Sequence, residues 1–365
     1  MYKIFMYVLA YISVMKEARK VQKAGYSSLS VSLPSSWSKG KGIKSGDLVM
    51  VSEDVEGYLK IFPATEEQRF ETKVNINADL CHEPEILKRI VAGCYLLGYD
   101  TIRITSNKEL LSSQLEDIRT MTKRLPGLEI VETTLRRVTI RCFVDPGRIP
   151  VEELMRKLHV MVTTMHNASM NALLGGRIEL AKEALQMENE VDQIYFLAVR
   201  QLLLALRDRD IAGEIGIESP LHAAGSRVVA KALEEIADVT AGIAKETIVL
   251  SEVGFKMDTG TLQVMQKFSS LVQSIFGKTM KAFLSRDIKF ANETLNSLEQ
   301  TDTDQKMLLE LVAKIDDHKV MYSLMSIIWN LGRILGYSKI IAEIAITRFL
   351  RQSNTLCTIE KEAVR

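Results

Sequence analysis

Apolar positions along this chain change their period twice, and each period predicts a different architecture. Between Val21 and Phe62 they alternate: Leu29, Val31 and Leu33 stand with Ser30 and Ser32 between them, and Leu48–Val51 and Tyr58–Phe62 are equally brief. Period two over such short runs predicts strands. Gly25 turns the chain after a strand at Val21–Lys23, Pro34 opens a helix of one or two turns at Ser35–Lys39, and Glu56-Gly57 makes the second turn. From residue 65 to 150 the two periods interleave. The spacing predicts strands at Phe70–Ile76, Tyr99–Thr105, Leu128–Thr133 and Arg137–Val144, with helices at Glu83–Leu97 and Asn107–Leu125. A small α/β domain follows.

From Val151 onward the period is helical. Val151–Leu174 closes at Gly175-Gly176, Arg177–Leu206 follows, and Pro220–Val253 starts with Ser219 as its N-cap. After the break at Gly254–Gly260, three more helices are expected at 261–284, 287–314 and 316–351. The pattern repeats itself. Ala172, Ile178, Ala181, Glu183, Leu185 and Asp192 recur as Ala282, Ile288, Ala291, Glu293, Leu295 and Asp302. Two tandem three-helix units, 151–253 and 261–351, fit this better than one six-helix bundle. The expected fold is therefore multidomain: a small β-rich module at 16–63, an α/β domain at 65–150, two all-α repeats and a tail at 352–365.

Charge sharpens the reading of the first module. Lys16, Arg19, Lys20, Lys23, Lys39, Lys41 and Lys44 against Glu17 give +6 up to Gly46, whereas Lys60 against Asp47, Glu53, Asp54 and Glu56 gives −3 from Asp47 to Pro63. The whole chain of 365 residues carries only +1, so any affinity for a polyanion is local to this arm. The four cysteines form no close pair or metal spacing, which fits a reducing cytoplasm. Met1–Val14 is apolar but too short to span a bilayer, and we read residues 1–14 as a non-native extension ahead of a start at Met15. No membrane insertion is expected.

The order KVQKAGYSSLSVSLPSSW, GIKSGDLVMV, GYLKIFP over 16–63 resembles the swapped-hairpin DNA-binding domain of the AbrB/MazE/SpoVT family. The resemblance implies an interlocked dimer that binds double-stranded DNA. The residue two before the proline is often arginine in that family and is Ser32 here, so contacts fall to Arg19, Lys20, Lys23, Ser27 and Ser28. Lysines and hydroxyls hold phosphates better than bases, and modest sequence specificity is expected.

Two acidic pairs at helical spacing stand in the first repeat, Glu188 with Asp192 and Glu234 with Asp238, each pair on one helix face. Oxygen ligands of this kind suit hard cations, although acidic faces are also routine on solvated helices. EALQMENEVDQIYFLAVRQLLLAL and ALEEIADVTAGIA, inside a doubled three-helix unit, resemble the PhoU family of phosphate-signalling proteins. Together with the first module this is similar to an archaeal-type architecture in which a hairpin DNA-binding domain precedes PhoU repeats.

The resemblance implies a metal (Fe, Mn, Mg or Zn) on Glu188, Asp192, Glu234 and Asp238. In the second repeat Leu298, Gly332 and Gly336 replace three of the four carboxylates and Asp302 alone remains, so a second metal site is not expected. The implied function is a cytoplasmic, non-enzymatic regulator of phosphate homeostasis that acts on DNA. Its partners would be a phosphate transporter ATPase or another phosphate-signalling protein, and its state a homodimer or higher homo-oligomer. The alternative is an adaptor whose hairpin serves only for dimerisation. A carboxylate-bridged metal enzyme of the four-helix type is disfavoured, because no Glu-x-x-His motif is present.

Overall fold

The structure, a computed structural model, describes residues 17–53, 58–64, 71–299, 301–351, 353–354 and 356–359. The expected extension at 1–14, the start at Met15, Lys16, the Glu56-Gly57 turn and Phe70 lie outside them. The chain divides into two units, Met1–Phe70 and Glu71–Arg365.

Among its described residues, the first unit holds two antiparallel hairpins and a short helix. Strands β1 (Gln22–Ala24) and β2 (Ser28–Ser30) pair with Lys23 opposite Leu29, and Gly25 turns between them at φ 78°. Positive φ at that position is why glycine stands there. β2 ends at Ser30, short of the expected Leu33, because Pro34 lacks a ladder donor and its neighbours lead directly into α1 (Ser35–Gly40). β3 (Val49–Glu53) and β4 (Leu59–Pro63) form the second hairpin. Little of this unit is buried: Val21, Leu29, Val31, Leu48, Val51, Tyr58 and Leu59 are all exposed.

The second unit begins with a four-stranded sheet, order β5-β6-β8-β7, made of β5 (Lys73–Asn77), β6 (Thr101–Thr105), β7 (Leu128–Thr133) and β8 (Arg137–Cys142). β5 and β6 run parallel, joined through α2 (Ile86–Leu96), and the other pairs are antiparallel. Leu87, Val91 and Tyr95 of α2, with Ile118 and Met121 of α3 (Ser112–Arg124), form a core with Ile102, Ile104, Val138 and Ile140 of the sheet.

Helices complete the unit. α4 (Val151–Gly175), α5 (Ile178–Ala205) and α7 (Pro220–Glu252) pack against one another, with the short α6 (Arg209–Glu214) between the last two. α8 (Thr259–Ser285), α9 (Ile288–Glu299), α10 (Asp302–Val312) and α11 (His318–Leu350) repeat the arrangement. α7 lies along α11 and α4 meets α8, so one continuous apolar core runs through both repeats.

The Ser219 side chain accepts from His222 N and Pro220 is the first helical residue, as the cap signal predicts. The helix expected over 287–314 is instead two. Thr301 donates both its hydroxyl (2.7 Å) and its N–H (3.1 Å) to Leu298 O, a tight three-residue closure after α9. Among the described residues, no helix is long and apolar enough to cross a membrane.

Candidate functional site

Two groups of residues carry the chemistry expected from the sequence, and they lie in different units. In the first unit Arg19, Lys20, Lys23, Ser27 and Ser28 are all exposed. Arg19 is ion-paired with Glu17, two residues away. Lys23 sits in β1, Ser27 in the turn and Ser28 at the start of β2 opposite Ala24. The cross-strand pairing places Lys23 on the face that also carries Leu29, so that face is apolar and basic together.

The acidic residues lie where α5 and α7 pack. Asp192 is buried, Glu234 is half-buried and Asp238 is exposed, and one oxygen from each lies within 4.8 Å of the others. No histidine or cysteine joins this group among the described residues. Glu188, one turn before Asp192, stands outside the trio, with Lys245 Nζ 3.9 Å from its Oε2.

Each flanking carboxylate has a cation of this chain beside it. Arg124, the last residue of α3, pairs with Asp192 and lies 5.6 Å from the centre of the Phe196 ring. Lys231 bonds Glu234 and, at 2.9 Å, Glu235, while Glu235 also accepts from the Tyr337 hydroxyl at 2.8 Å. Against the burial that lowers it, these bonds hold the Lys231 ammonium above its ordinary range.

Asp238 forms no hydrogen bond or ion pair among the described residues, and its environment reflects that. Although the residue reaches solvent, desolvation by the packed helices beside its carboxyl, then the charges of Glu234, Asp192 and Glu188, push that carboxyl up to about 6. Burial likewise raises Glu234, with Lys231 opposing. The convergence of Glu234 and Asp238, both raised, beside Asp192 forms a site whose repulsion a further cation relieves. The donor set is all oxygen and fits a hard cation better than zinc, whose protein ligands are mainly sulfur and nitrogen.

Among the described residues, the second repeat shows no such group. Gly332 stands where Glu234 does, and a Cβ there would lie 2.4 Å from Gln305 Nε2, so a neutral amide from α10 fills that space. Asp302 opens α10, and its side chain lies outside what the structure describes. The internal repeat is nevertheless visible as burial: Ala181 and its counterpart Ala291 are both fully inaccessible.

Sequence reasoning missed Arg124 and two further residues, Arg200 and Gln201. Arg200 is 1 % exposed. Its guanidinium donates to the carbonyls of Tyr95, Gly98 and Tyr99 where α2 ends, and stacks 4.9 Å from the Tyr95 ring. Gln201 Nε2 donates to Pro146 O (2.8 Å) and Ile149 O (3.1 Å). Both tie α5 to the α/β layer. The available signal was their place inside Leu197–Ala205, a run so apolar that any polar member must find an internal partner.

Residues 155–247 match the PhoU domain family. Among solved structures, PhoU from Pseudomonas aeruginosa is similar at 19% identity and a TM-score of 0.48, over 55% of this chain and 95% of that one. The phosphate transport system regulatory protein PhoU from Streptococcus pneumoniae is similar at 20% identity and a TM-score of 0.44, over 54% of this chain and 91% of that one. A search of curated proteins finds no match. The family match thus falls on α4 to α7, the helices that carry Asp192, Glu234 and Asp238.

Proposed function

We propose that this chain is a regulator of phosphate homeostasis in which a PhoU-like helical half is coupled to a DNA-binding N-terminal module. The observation that carries the first part is the PhoU domain match over residues 155–247. The second part rests on residues of the first unit: an exposed basic arm beside strands whose apolar side chains remain exposed. Roughly fifty residues are near the limit for an independent core, so pairing with a second copy would bury what one chain leaves open. A homodimer would set two basic arms side by side, doubling the phosphates each encounter engages.

In the helical half, Asp192, Glu234 and Asp238 would hold a divalent or ferric ion, with Glu188 at its border. The ion's chemistry there is compensation of negative charge, a task that Arg124, Lys231 and Lys245 share in the structure. A phosphate transporter ATPase or another phosphate-signalling protein is the partner this reading assigns to the helical half. The adaptor reading, in which the hairpins only dimerise, differs at one point: it needs no duplex DNA.

Titration of the full chain with duplex DNA at several salt concentrations separates the two. We expect affinity to fall steeply with salt, and replacement of Arg19, Lys20 and Lys23 by alanine to weaken binding and flatten that slope. An unchanged affinity and slope in the triple variant would exclude this arm as the contact surface.

A further inference from the structure

A second charged site lies at the other end of the helical half, where the two repeats meet. The start of α7 supplies Leu221, His222 and Ser226, α8 supplies Phe283, and the end of α11 supplies Ile344 and Arg348. They enclose, with Arg351, a cavity of about 220 Å³. The guanidinium of Arg348 is buried, with the residue 9% exposed. One of its terminal nitrogens donates to Phe283 O at 3.2 Å and the other stands 3.6 Å from Glu152. Its Nε has no hydrogen-bond partner among the described residues, and neither has the buried Nη1 of Arg351. Burying a charged donor without an acceptor is costly, and two such donors around one cavity call for an anion.

The surroundings have the same sign. Arg286 and Arg351 share a single carboxylate, Glu218, so three guanidinium groups face two carboxylates, Glu218 and Glu152. The positive end of the 33-residue α7 opens beside them. His222 accepts from Glu218 N through Nδ1 at 3.3 Å, which leaves its proton on Nε2 as a donor. Burial, then Arg348 and Arg351, lower the imidazole to about 4, so the ring is neutral at physiological pH. The other walls, Leu221, Phe283 and Ile344, are apolar.

We infer that this cavity binds a small phosphate compound, inorganic phosphate or a phosphate monoester with a short apolar group, held by Arg348 Nε, Arg351 Nη1 and the His222 ring. Separated donors converging from two helices match a tetrahedral oxyanion better than a planar carboxylate, and the apolar walls favour the ester. Because α7 belongs to the first repeat and α8 and α11 to the second, a ligand here bridges both. The site is independent of the acidic cluster and of the DNA-binding reading.

The test is titration of the full chain, in chelator and at constant ionic strength, with inorganic phosphate, butyl phosphate and butyrate. Calorimetry and the His222 ring resonances report binding. We expect saturable binding of a phosphate compound with a shift of the His222 signals, weakened roughly tenfold or more in Arg351→Gln through loss of a charged hydrogen bond. Leu221→Glu, at an exposed rim position, should weaken binding without disturbing the core, whereas Asp192→Asn with Asp238→Asn should leave it unchanged. Tighter binding of butyl phosphate identifies an ester ligand; equal or tighter binding of inorganic phosphate identifies phosphate itself. Absence of saturable binding by both, tighter binding of butyrate than of either, or unchanged affinity in Arg351→Gln and Leu221→Glu alike would overturn the assignment.

Discussion

At the scale of single residues, the proposed response of the first repeat to cations would turn on the charge state of Asp238. Its folded pKa, about 6, lies above the ordinary 3.8. The folded state therefore binds the proton more tightly than the unfolded chain, and stability falls as pH rises through the window between those values. Above that window Asp238 is ionised and meets the repulsion that raises its pKa; below it, protonation relieves that repulsion. A bound cation does the same work at neutral pH. Chelation should then lower the melting temperature more at pH 7.5 than at pH 5, and the effect should vanish in Asp192→Asn with Asp238→Asn. Thermal melts with elemental analysis check this. An equal melting curve with and without chelator at pH 7.5, in protein containing no metal, would mean that Arg124, Lys231 and Lys245 suffice.

At the scale of elements, the contact that matters most is α5 against the end of α2. Arg200 adds a charged donor to the Tyr95 and Gly98 carbonyls, which also accept from Gly98 N and the Thr72 hydroxyl, and its positive charge meets the negative end of the α2 dipole. Arg200→Met should cost about 2 kcal/mol or more, since it leaves Tyr99 O without a donor among the described residues and takes the charged donor from Tyr95 O and Gly98 O, and Arg200→Lys should recover only part, because an ammonium lacks the planar fork. Denaturant melts followed by hydrogen exchange should show the α/β layer opening before the long helices in the methionine variant. Equal protection of both in the variant and the native chain would refute the role.

Element-scale comparison also shows what the sequence could and could not reveal. Ser219-Pro220 and Gly176 mark helix ends by local chemistry, and the β5–β8 strands follow from period two. The break between α9 and α10 has no glycine or proline, only a threonine bonding back to Leu298. Glu188, Asp192, Glu234 and Asp238 were legible because helical spacing puts each pair on one face. Arg124 was not, since it reaches Asp192 from 68 residues away. Arg348 was hidden for a related reason: an arginine near a helix C-terminus reads as a solvated cap, and only packing against Phe283 buries it.

At the scale of the molecule, the chain carries a helical half whose residues 155–247 match the PhoU domain and an N-terminal unit with a basic, incompletely buried β surface. Under the function proposed above, phosphate status read through the helical half would change what the N-terminal unit does on DNA. Such coupling requires a differential free energy between two states of the chain. The most direct measurement is chromatin occupancy of the full-length chain in native cells, phosphate-replete and phosphate-starved, beside the variant with Arg19, Lys20 and Lys23 replaced by alanine. We expect occupancy at phosphate-transport genes that changes with phosphate supply and is lost in the variant. Occupancy that ignores phosphate, or that survives intact in the variant, would contradict it.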